Sequence, residues 1–181
     1  MKFNAAPTLH TNRLTLRPHK ENDLADCVAL WNDPIVTQHT SGAAISKQDV
    51  WTRLLRHPGH WALLGFGYWV VVERLSGKFV GEVGIADFKR SVVASLSELE
   101  SVPEAGWVLM PWAHGRGYAT EAVRAVLEWR GEYLPSNGTF CLVTSENSAS
   151  LRVAEKVGFQ PHTTIQDKDK ELRVLLRRRT Q

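Results

Sequence analysis

The chain has 181 residues with 43% hydrophobic and 23% charged side chains, values ordinary for a globular protein, and we expect one domain over residues 1–181. This composition argues against a disordered, collagen-like or coiled-coil chain. The 22 lysines and arginines give a net charge of only +3 against the 19 acidic residues, too weak an excess to indicate a nucleic-acid partner. Two cysteines cannot form the framework of a disulfide-dense secreted domain, and no apolar run approaches the roughly 18 residues of a membrane span. We therefore expect a cytoplasmic protein without a membrane partner.

Hydrophobic periodicity predicts a mixed α/β fold, with neither a strict strand–helix alternation nor the all-strand pattern of a sandwich. In chain order the pattern predicts a strand at 13–18, helices at 24–31 and 46–56, strands at 68–73, 79–88 and 105–110, a helix at 115–133, a strand at 139–144, a helix at 147–157, and strands at 159–165 and 172–176. The second helix is predicted to end at His57-Pro58-Gly59, because proline lacks the N–H that a helix interior requires. The strand at 139–144 is apolar on both faces and is expected to be central.

The sharpest motif is His114-Gly115-Arg116-Gly117-Tyr118-Ala119, which lies between a predicted strand and a long predicted helix. Glycines let the backbone turn without Cβ clashes, and successive N–H groups then point to one spot beside the positive end of the helix dipole. Such a turn suits a pyrophosphate, with Arg116 available for a further phosphate. The Gly-Lys-Ser/Thr of a P-loop is missing, and Thr120 stands where a dinucleotide fingerprint needs a small residue. A tight turn without a ligand is the alternative.

A second block runs from Glu146 to Phe159 and predicts a short helix with polar groups on one face. Asn147 and Ser150 lie one turn apart on that face, and both side chains can donate hydrogen bonds to a ligand beside the helix. The alternatives are that Asn147 only caps the helix and that Ser150 is only a solvated helix residue.

In their order and spacing, these two blocks resemble the Gcn5-related N-acetyltransferase (GNAT) superfamily. Residues 114–119 resemble its pyrophosphate loop, Gln/Arg-x-x-Gly-x-Gly/Ala. The strings at 11–18, 106–122 and 147–159 resemble the branch that acetylates the N-termini of ribosomal proteins. The resemblance covers most of the chain.

The resemblance implies a mostly antiparallel central sheet, flanked by helices, in which the strands at 105–110 and 139–144 splay apart in a V. It implies that acetyl-CoA binds as co-substrate, with its pantetheine arm in that gap. The residues expected to contact acetyl-CoA are Val108, Leu109, His114, Gly115, Arg116, Gly117, Tyr118, Ala119, Thr120, Asn147 and Ser150. His114 replaces the family's Gln or Arg. Ala154 stands where many members carry the tyrosine that protonates the leaving thiolate, so that role is vacant or is taken by Ser150 or a water molecule.

Direct attack of an amine on the thioester requires the amine to be neutral. A lysine-like amine has a pKa of about 10.4, so only about one molecule in a thousand is neutral near pH 7, whereas a peptide α-amine is roughly a tenth neutral. A general base is therefore needed for the first acceptor and is merely helpful for the second. Glu104, just before the strand that would line the cofactor, is the first candidate base, and Glu82 is the second. The alternative for Glu104 is an exposed turn carboxylate.

These observations predict an acetyl-CoA-dependent N-acetyltransferase that acts on a protein N-terminus or on a small-molecule amine. The alternative is a catalytically idle acyl-CoA-binding sensor or scaffold. No metal site is predicted, because His57 and His60 have no evident third ligand. The tryptophans Trp31, Trp51 and Trp61 are expected either to wall the acceptor cleft or to pack in the core. The sequence leaves monomer and homodimer equally open.

Overall fold

The computed structural model describes residues 3–134 and 138–178. The strands are β1 (Leu9–His10), β2 (Leu14–Arg17), β3 (Tyr68–Glu73), β4 (Phe79–Ala86), β5 (Glu104–Leu109), β6 (Thr139–Thr144), β7 (Gln160–Asp167) and β8 (Lys170–Arg177). The helices are α1 (Leu24–Asn32), α2 (Pro34–Thr37), α3 (Lys47–Leu64), α4 (Tyr118–Tyr133) and α5 (Ser148–Lys156). Short 3₁₀ turns lie at Glu21–Asp23, Ser91–Val93, Ser97–Leu99 and Pro111–Ala113.

All eight strands form one sheet in the order β1-β2-β3-β4-β5-β6-β8-β7. Every neighbouring pair is antiparallel except β5 and β6, which run parallel. Their register consists of one pair, Glu104 opposite Phe140, and the Phe140 N–H donates to the Pro103 carbonyl at 3.2 Å. From that point toward Leu109 the two strands are unpaired and diverge. The mixed α/β fold with a V-shaped splay is therefore confirmed.

Helices pack on both faces of the sheet. On one face, α4 buries Val123 and Val126 in the larger core cluster, where Trp61, Trp69 and Trp129 meet edge to face at centroid distances of 4.7–5.2 Å. On the other face, α1 and α3 form a second core cluster against β3 and β4. Because both faces of β4 are covered, its eight residues are all buried. Trp61 is thus a core residue, as one of the two sequence interpretations proposed.

Helix α3 is longer than predicted, because Pro58 does not end it. The helix begins after Ser46, whose hydroxyl accepts the Asp49 N–H at 3.1 Å, and it ends at Gly65 with a φ of +80°. Buried residues continue at helical spacing on both sides of the proline, with Leu54 before it and Trp61 after it. Pro58 itself lies on the exposed face. Burial on both sides of the proline therefore outweighs the single missing backbone hydrogen bond.

The remaining differences from the predicted elements are small. Helix α4 starts at Tyr118 rather than at residue 115, because Gly115 and Gly117 adopt positive φ angles that no helix contains. Strand β4 ends at Ala86, two residues early, and the two-residue strand β1 has no clear sequence pattern. The sequence also predicts a turn at Pro135-Ser136-Asn137-Gly138, which lies mostly outside the described residues. Among the described helices, none combines the length and apolar character that a membrane crossing requires.

Candidate active site

The glycine turn connects the end of β5 to the start of α4. After the 3₁₀ turn at Pro111–Ala113, Gly115 and Gly117 take φ angles of +72° and +78°, in the left-handed region that favours glycine. The imidazole of His114 donates from Nε2 to the Leu109 carbonyl at 2.8 Å. This side chain therefore ties the turn back to the end of β5 and leaves ligand contacts to the backbone.

The turn is open to a ligand. Residues 114–117 are exposed, and a Cβ at Gly115 would meet nothing within 4 Å. The first N–H groups of a helix have no intrahelical acceptor, and the N-cap Gly117 supplies no side chain to satisfy them. The side chain of Tyr118 is buried and donates to Glu73, so this residue offers only its backbone. The turn thus has the geometry of an anion cradle.

Arg13 braces the cradle from β2. Its guanidinium forms an ion pair with Glu121 of α4 at 2.7 Å and donates to the Arg116 carbonyl at 2.9 Å. The Arg116 guanidinium lies 5.5 Å from the Trp112 ring centroid, at the exposed edge of the turn. Arg116 therefore has its side chain on the solvent side, where it can meet a further phosphate.

A cavity of about 430 Å³ opens where β5 and β6 diverge. It brings together five of the predicted catalytic and cofactor-binding residues, namely Glu82, Glu104, Val108, Asn147 and Ser150, and is also lined by Trp31. The turn at 114–120 does not line this cavity and instead follows the far end of β5. The predicted cofactor residues therefore fall into two groups, a backbone turn and a side-chain-lined gap.

Asn147 caps helix α5, since its Oδ1 accepts the Ser150 N–H at 3.0 Å. The cap interpretation is correct, and the same residue also lines the cavity. The Ser150 hydroxyl makes no hydrogen bond within the described part of the chain and faces the same space. Ala154 is fully buried in the larger core cluster, so its position offers no proton donor to the cavity.

Glu104 lies at the point where β5 and β6 separate, and it is buried rather than exposed on a turn. Both carboxylate oxygens are occupied by Arg90, with Nε at 2.6 Å from Oε2 and Nη2 at 3.0 Å from Oε1. Burial raises the pKa of Glu104 above its usual value, although Arg90 opposes that shift. Its role as the general base stays a prediction.

Glu82 is the most enclosed carboxylate of the cavity, with 2% of its surface exposed. The Trp31 indole donates to Oε2 at 2.7 Å, while Nε2 of His19 and Nε2 of His57 lie 2.8 and 3.5 Å from Oε1. Burial opposes ionisation, but hydrogen bonds from His19 and His57 hold the pKa of Glu82 well below its usual range. Burial also lowers the pKa of His57 to about 4. Near pH 7 the site therefore contains a fixed carboxylate beside a neutral His57 imidazole.

The group of His19, His57 and Glu82 also has ligand types that metals use, with atoms within 4.8 Å of one another. A tetrahedral zinc with ligands at about 2.0–2.1 Å would keep those atoms farther apart than the 2.8 Å between His19 and Glu82, which is a hydrogen-bond distance. The two imidazoles are stacked, with centroids 4.2 Å apart and planes 19° from parallel. The geometry therefore fits a hydrogen-bonded cluster that can hold a proton.

Tyr68 is a cavity residue that sequence reasoning missed. Its side chain lies over Gly84 and Gly106. A Cβ at Gly84 would overlap the Tyr68 ring, and a Cβ at Gly106 would overlap the Tyr68 hydroxyl. The hydroxyl makes no hydrogen bond to the described residues, and burial raises the pKa of Tyr68. The sheet register sets the Tyr68 row between the rows of Glu82 and Glu104. The signal in the sequence was the pair of glycines on adjacent strands.

Sequence reasoning also missed His19 and His57 as partners of Glu82. Prediction ended the second helix at Arg56, which removed His57 from the helical face that carries Leu54 and Trp61. His19 comes from the segment between β2 and α1, where no local pattern reports its contact. Both cysteines are buried, and burial raises the pKa of the Cys27 and Cys141 thiols.

Comparison with known proteins gives one family and several similar chains. The uncharacterised protein YkkB of Bacillus subtilis (strain 168) is 32% identical over 179 residues, which cover 97% of this chain and 98% of that protein. An acetyltransferase structure from Agrobacterium tumefaciens str. C58 is 26% identical with a TM-score of 0.81, covering 97% of this chain and 96% of that one.

A more distant structure shares the fold and holds coenzyme A. The spermidine N-acetyltransferase from Vibrio cholerae, in complex with CoA and spermine, has a TM-score of 0.71 at 17% identity and covers 92% of this chain and 97% of that one. The model of the acetyltransferase (GNAT) domain matches residues 13–160, which include the glycine turn and helix α5. The chain therefore belongs to the GNAT acetyltransferase domain family.

Proposed function

We propose that the protein is an acetyl-CoA-dependent N-acetyltransferase that acetylates a primary amine. The observation that carries this proposal is the combination of the splayed β5–β6 gap with the open glycine turn at the end of β5. Gly115, Gly117 and the first N–H groups of α4 would bind the pyrophosphate, and Val108 and Leu109 would pair with the pantetheine arm through their backbone. Acetyl-CoA supplies an activated acetyl thioester.

The transfer balances with one base and one acid. A base first takes one proton from the ammonium. The neutral amine nitrogen then bonds to the acetyl carbon, the carbon–sulfur bond breaks, and the sulfur leaves with a proton from an acid, which is reprotonated by the second proton lost from the attacking nitrogen. We assign the base to Glu82 with His57, because the register sets Glu82 directly opposite Val108. The carboxylate would stabilise positive charge on His57 as the imidazole takes up the proton. The 3.5 Å separation of Glu82 and His57 allows this electrostatic support without a strong hydrogen bond.

Glu104 is the second candidate base. It precedes Val108 by four residues, about 13 Å along an extended strand, so it would act through water. Two hydroxyls are candidates for the acid, Ser150 on helix α5 and Tyr68 across the cavity. Each lines the cavity and has no competing hydrogen bond in residues 3–134 and 138–178.

The acceptor remains a primary amine, either a protein N-terminal α-amine or a small molecule. The strings that resemble the ribosomal-protein branch support the first class, and the fold shared with a spermidine acetyltransferase is compatible with the second. The two free, buried cysteines fit a reducing compartment, and we propose a cytoplasmic enzyme. One observation favours an idle acyl-CoA sensor instead: the buried Ala154 where many GNAT members carry their tyrosine acid.

A screen of thiol release separates the enzyme from the sensor. The protein is mixed with acetyl-CoA and, one at a time, with short peptides, polyamines, amino acids and aminoglycosides, and free CoA is followed with a thiol reagent. We expect amine-dependent release together with an acetylated amine of the correct mass. Binding of acetyl-CoA by calorimetry without release for any amine would support the sensor and overturn the enzyme.

A further inference from the structure

Helix α3 directs basic side chains into the acceptor side of the cavity. Arg53, Arg56 and His57 lie at positions i, i+3 and i+4, which share one helical face, and all three line the cavity. This arrangement requires the helix to extend beyond its predicted end at residue 56. The arginines therefore meet the cavity next to the residue that contacts Glu82.

Aromatic rings hold these guanidinium groups in place. Arg53 Cζ lies 4.3 Å from the centroid of the Trp31 ring, and Arg56 Cζ lies 5.0 Å from that of Phe88. The guanidinium of Arg90 contacts the same Phe88 ring at 4.8 Å. Stacking fixes the plane of a guanidinium while leaving its N–H edge available to an oxyanion. The two α3 arginines are thus preorganised donors.

The two buried carboxylates that line the cavity have partners other than Arg53 and Arg56. Arg90 is paired with Glu104, and Glu82 is surrounded by its imidazole and indole partners. Among the described residues, no carboxylate oxygen lies within 4.0 Å of Arg53 or Arg56. Desolvation and mutual repulsion lower the pKa of Arg53. Two stacked cations without a carboxylate partner face the space that the acceptor must enter.

The other charges at the cavity do not remove this excess. Asp167 and Lys170 also line it, and they stand opposite each other in the register of the β7–β8 hairpin. The Lys170 ammonium lies 3.4 Å from the Gln38 carbonyl. One acid and one base from this hairpin add no net charge. Glu82 offsets one of the two arginine charges, so an excess of one positive charge remains on the α3 side.

We propose that the acceptor carries a carboxylate or phosphate group near its amine, and that Arg53 and Arg56 bind this anion while the amine faces Glu82. This inference rests on the proposed acetyltransferase function. Two guanidinium groups can bind an oxyanion through charge-assisted, bidentate hydrogen bonds. The same groups repel a polycation, so the acceptor differs in charge from the spermine bound in the Vibrio cholerae structure.

Matched pairs of amines test the inference. Thiol release is measured for β-alanine and β-alaninamide, for phosphoethanolamine and ethanolamine, and for the amidated peptides Ser-Asp-Ala and Ser-Asn-Ala, with spermidine as a polycation. We expect the anionic member of at least one pair to have a kcat/KM about tenfold higher, as a charge-assisted hydrogen bond would provide. The pair that shows this difference in kcat/KM identifies the acceptor as a small carboxylate, a phosphate or an acidic peptide.

Variants of helix α3 assign the preference to its arginines. Arg53→Gln and Arg56→Gln should each reduce kcat/KM for the anionic amine while leaving its neutral partner nearly unchanged, and Arg56→Glu should reverse the preference. Lys47→Gln, which removes an exposed cation of α3 outside the cavity, should change neither. Circular dichroism and the acetyl-CoA affinity report whether each variant is folded.

Two results overturn the inference for different reasons. Equal use of both members of every pair, better use of spermidine, or equal losses for both members in the arginine variants would refute the anion site while leaving the enzyme intact. The absence of release with any amine would refute the proposed function itself, and the anion site with it.

Discussion

The turn at the end of β5 offers backbone N–H groups to the proposed cofactor, whereas the proposed acceptor side of the cavity presents side chains from several distant segments. The turn is built by consecutive residues, 114–120, and needs only glycine φ angles and a helix start. The acceptor side combines His19, Tyr68 and Glu82 with two arginines of α3. We call these regions the cofactor half and the acceptor half. The difference indicates that local sequence determines the backbone cradle, whereas tertiary packing determines which side chains meet in the cavity.

The largest effect is expected from the acceptor half. Glu82→Gln should lower kcat by about 10²–10⁴-fold with a high-pKa amine, because general-base assistance has that typical value. The deficit should shrink as pH rises and more of the amine is neutral. The measurement is a pH–rate profile with acetyl-CoA saturating.

Glu104→Gln is the matched variant. It removes the partner of Arg90, so we expect a lower melting temperature but less than about a tenfold loss of kcat. The opposite ranking, with Glu104→Gln inactive and Glu82→Gln nearly normal at pH 7, would transfer the role of base to Glu104.

A smaller effect concerns stability at low pH. The pKa of His57 is lowered to about 4 in the folded protein, so the unfolded chain, with a His pKa of about 6.5, binds the proton more readily. The resulting stability is present above pH 6.5 and is lost as pH falls toward 4. Glu82, whose pKa is also lowered, acts in the same direction below about pH 4.5.

We expect His57→Phe, which keeps a ring between His19 and Tyr68, to flatten the decline of melting temperature between pH 7 and pH 4.5. The difference should correspond to on the order of 2 kcal/mol in the free energy of unfolding. His10→Gln, an exposed histidine at the sheet edge, is the control. Parallel melting curves for wild type and His57→Phe would show that His57 is not held neutral by the fold.

The smallest effect is expected at Asn147, which caps α5 and lines the cavity. Loss of the cap in Asn147→Ala should cost about 1 kcal/mol of stability. Asn147→Ser retains a capping oxygen and should restore the stability but not the cavity amide. If Asn147 contacts the cofactor arm, Asn147→Ala should melt at a lower temperature than Asn147→Ser, while both variants should have a reduced turnover. Wild-type turnover in Asn147→Ser would show that Asn147 acts only as the cap of α5.

The sequence predicted the parts of the molecule that consecutive residues determine. The β3–β4 hairpin, helix α4 and the capped helix α5 follow from periodicity, glycine and a cap residue, and each agrees with the fold. Helix α3 was predicted too short, since local preference at Pro58 was outweighed by burial of Trp61. The environment of Glu82 was not predictable, because its partners are separated from it by up to 63 residues and no periodic pattern encodes such a contact.

In the cofactor half, we propose that the backbone of the glycine turn binds the pyrophosphate of acetyl-CoA. Calorimetric titration of acetyl-CoA into Gly115→Asp and Gly77→Asp tests it directly. Both glycines have similar positive φ angles, +72° and +69°, with nothing within 4 Å of a new Cβ, and aspartate tolerates that conformation. Only Gly115→Asp adds negative charge to the cradle. We expect the affinity for acetyl-CoA to be about tenfold or more weaker in Gly115→Asp and unchanged in Gly77→Asp. Equal affinities in the two folded variants would show that the turn does not bind the pyrophosphate.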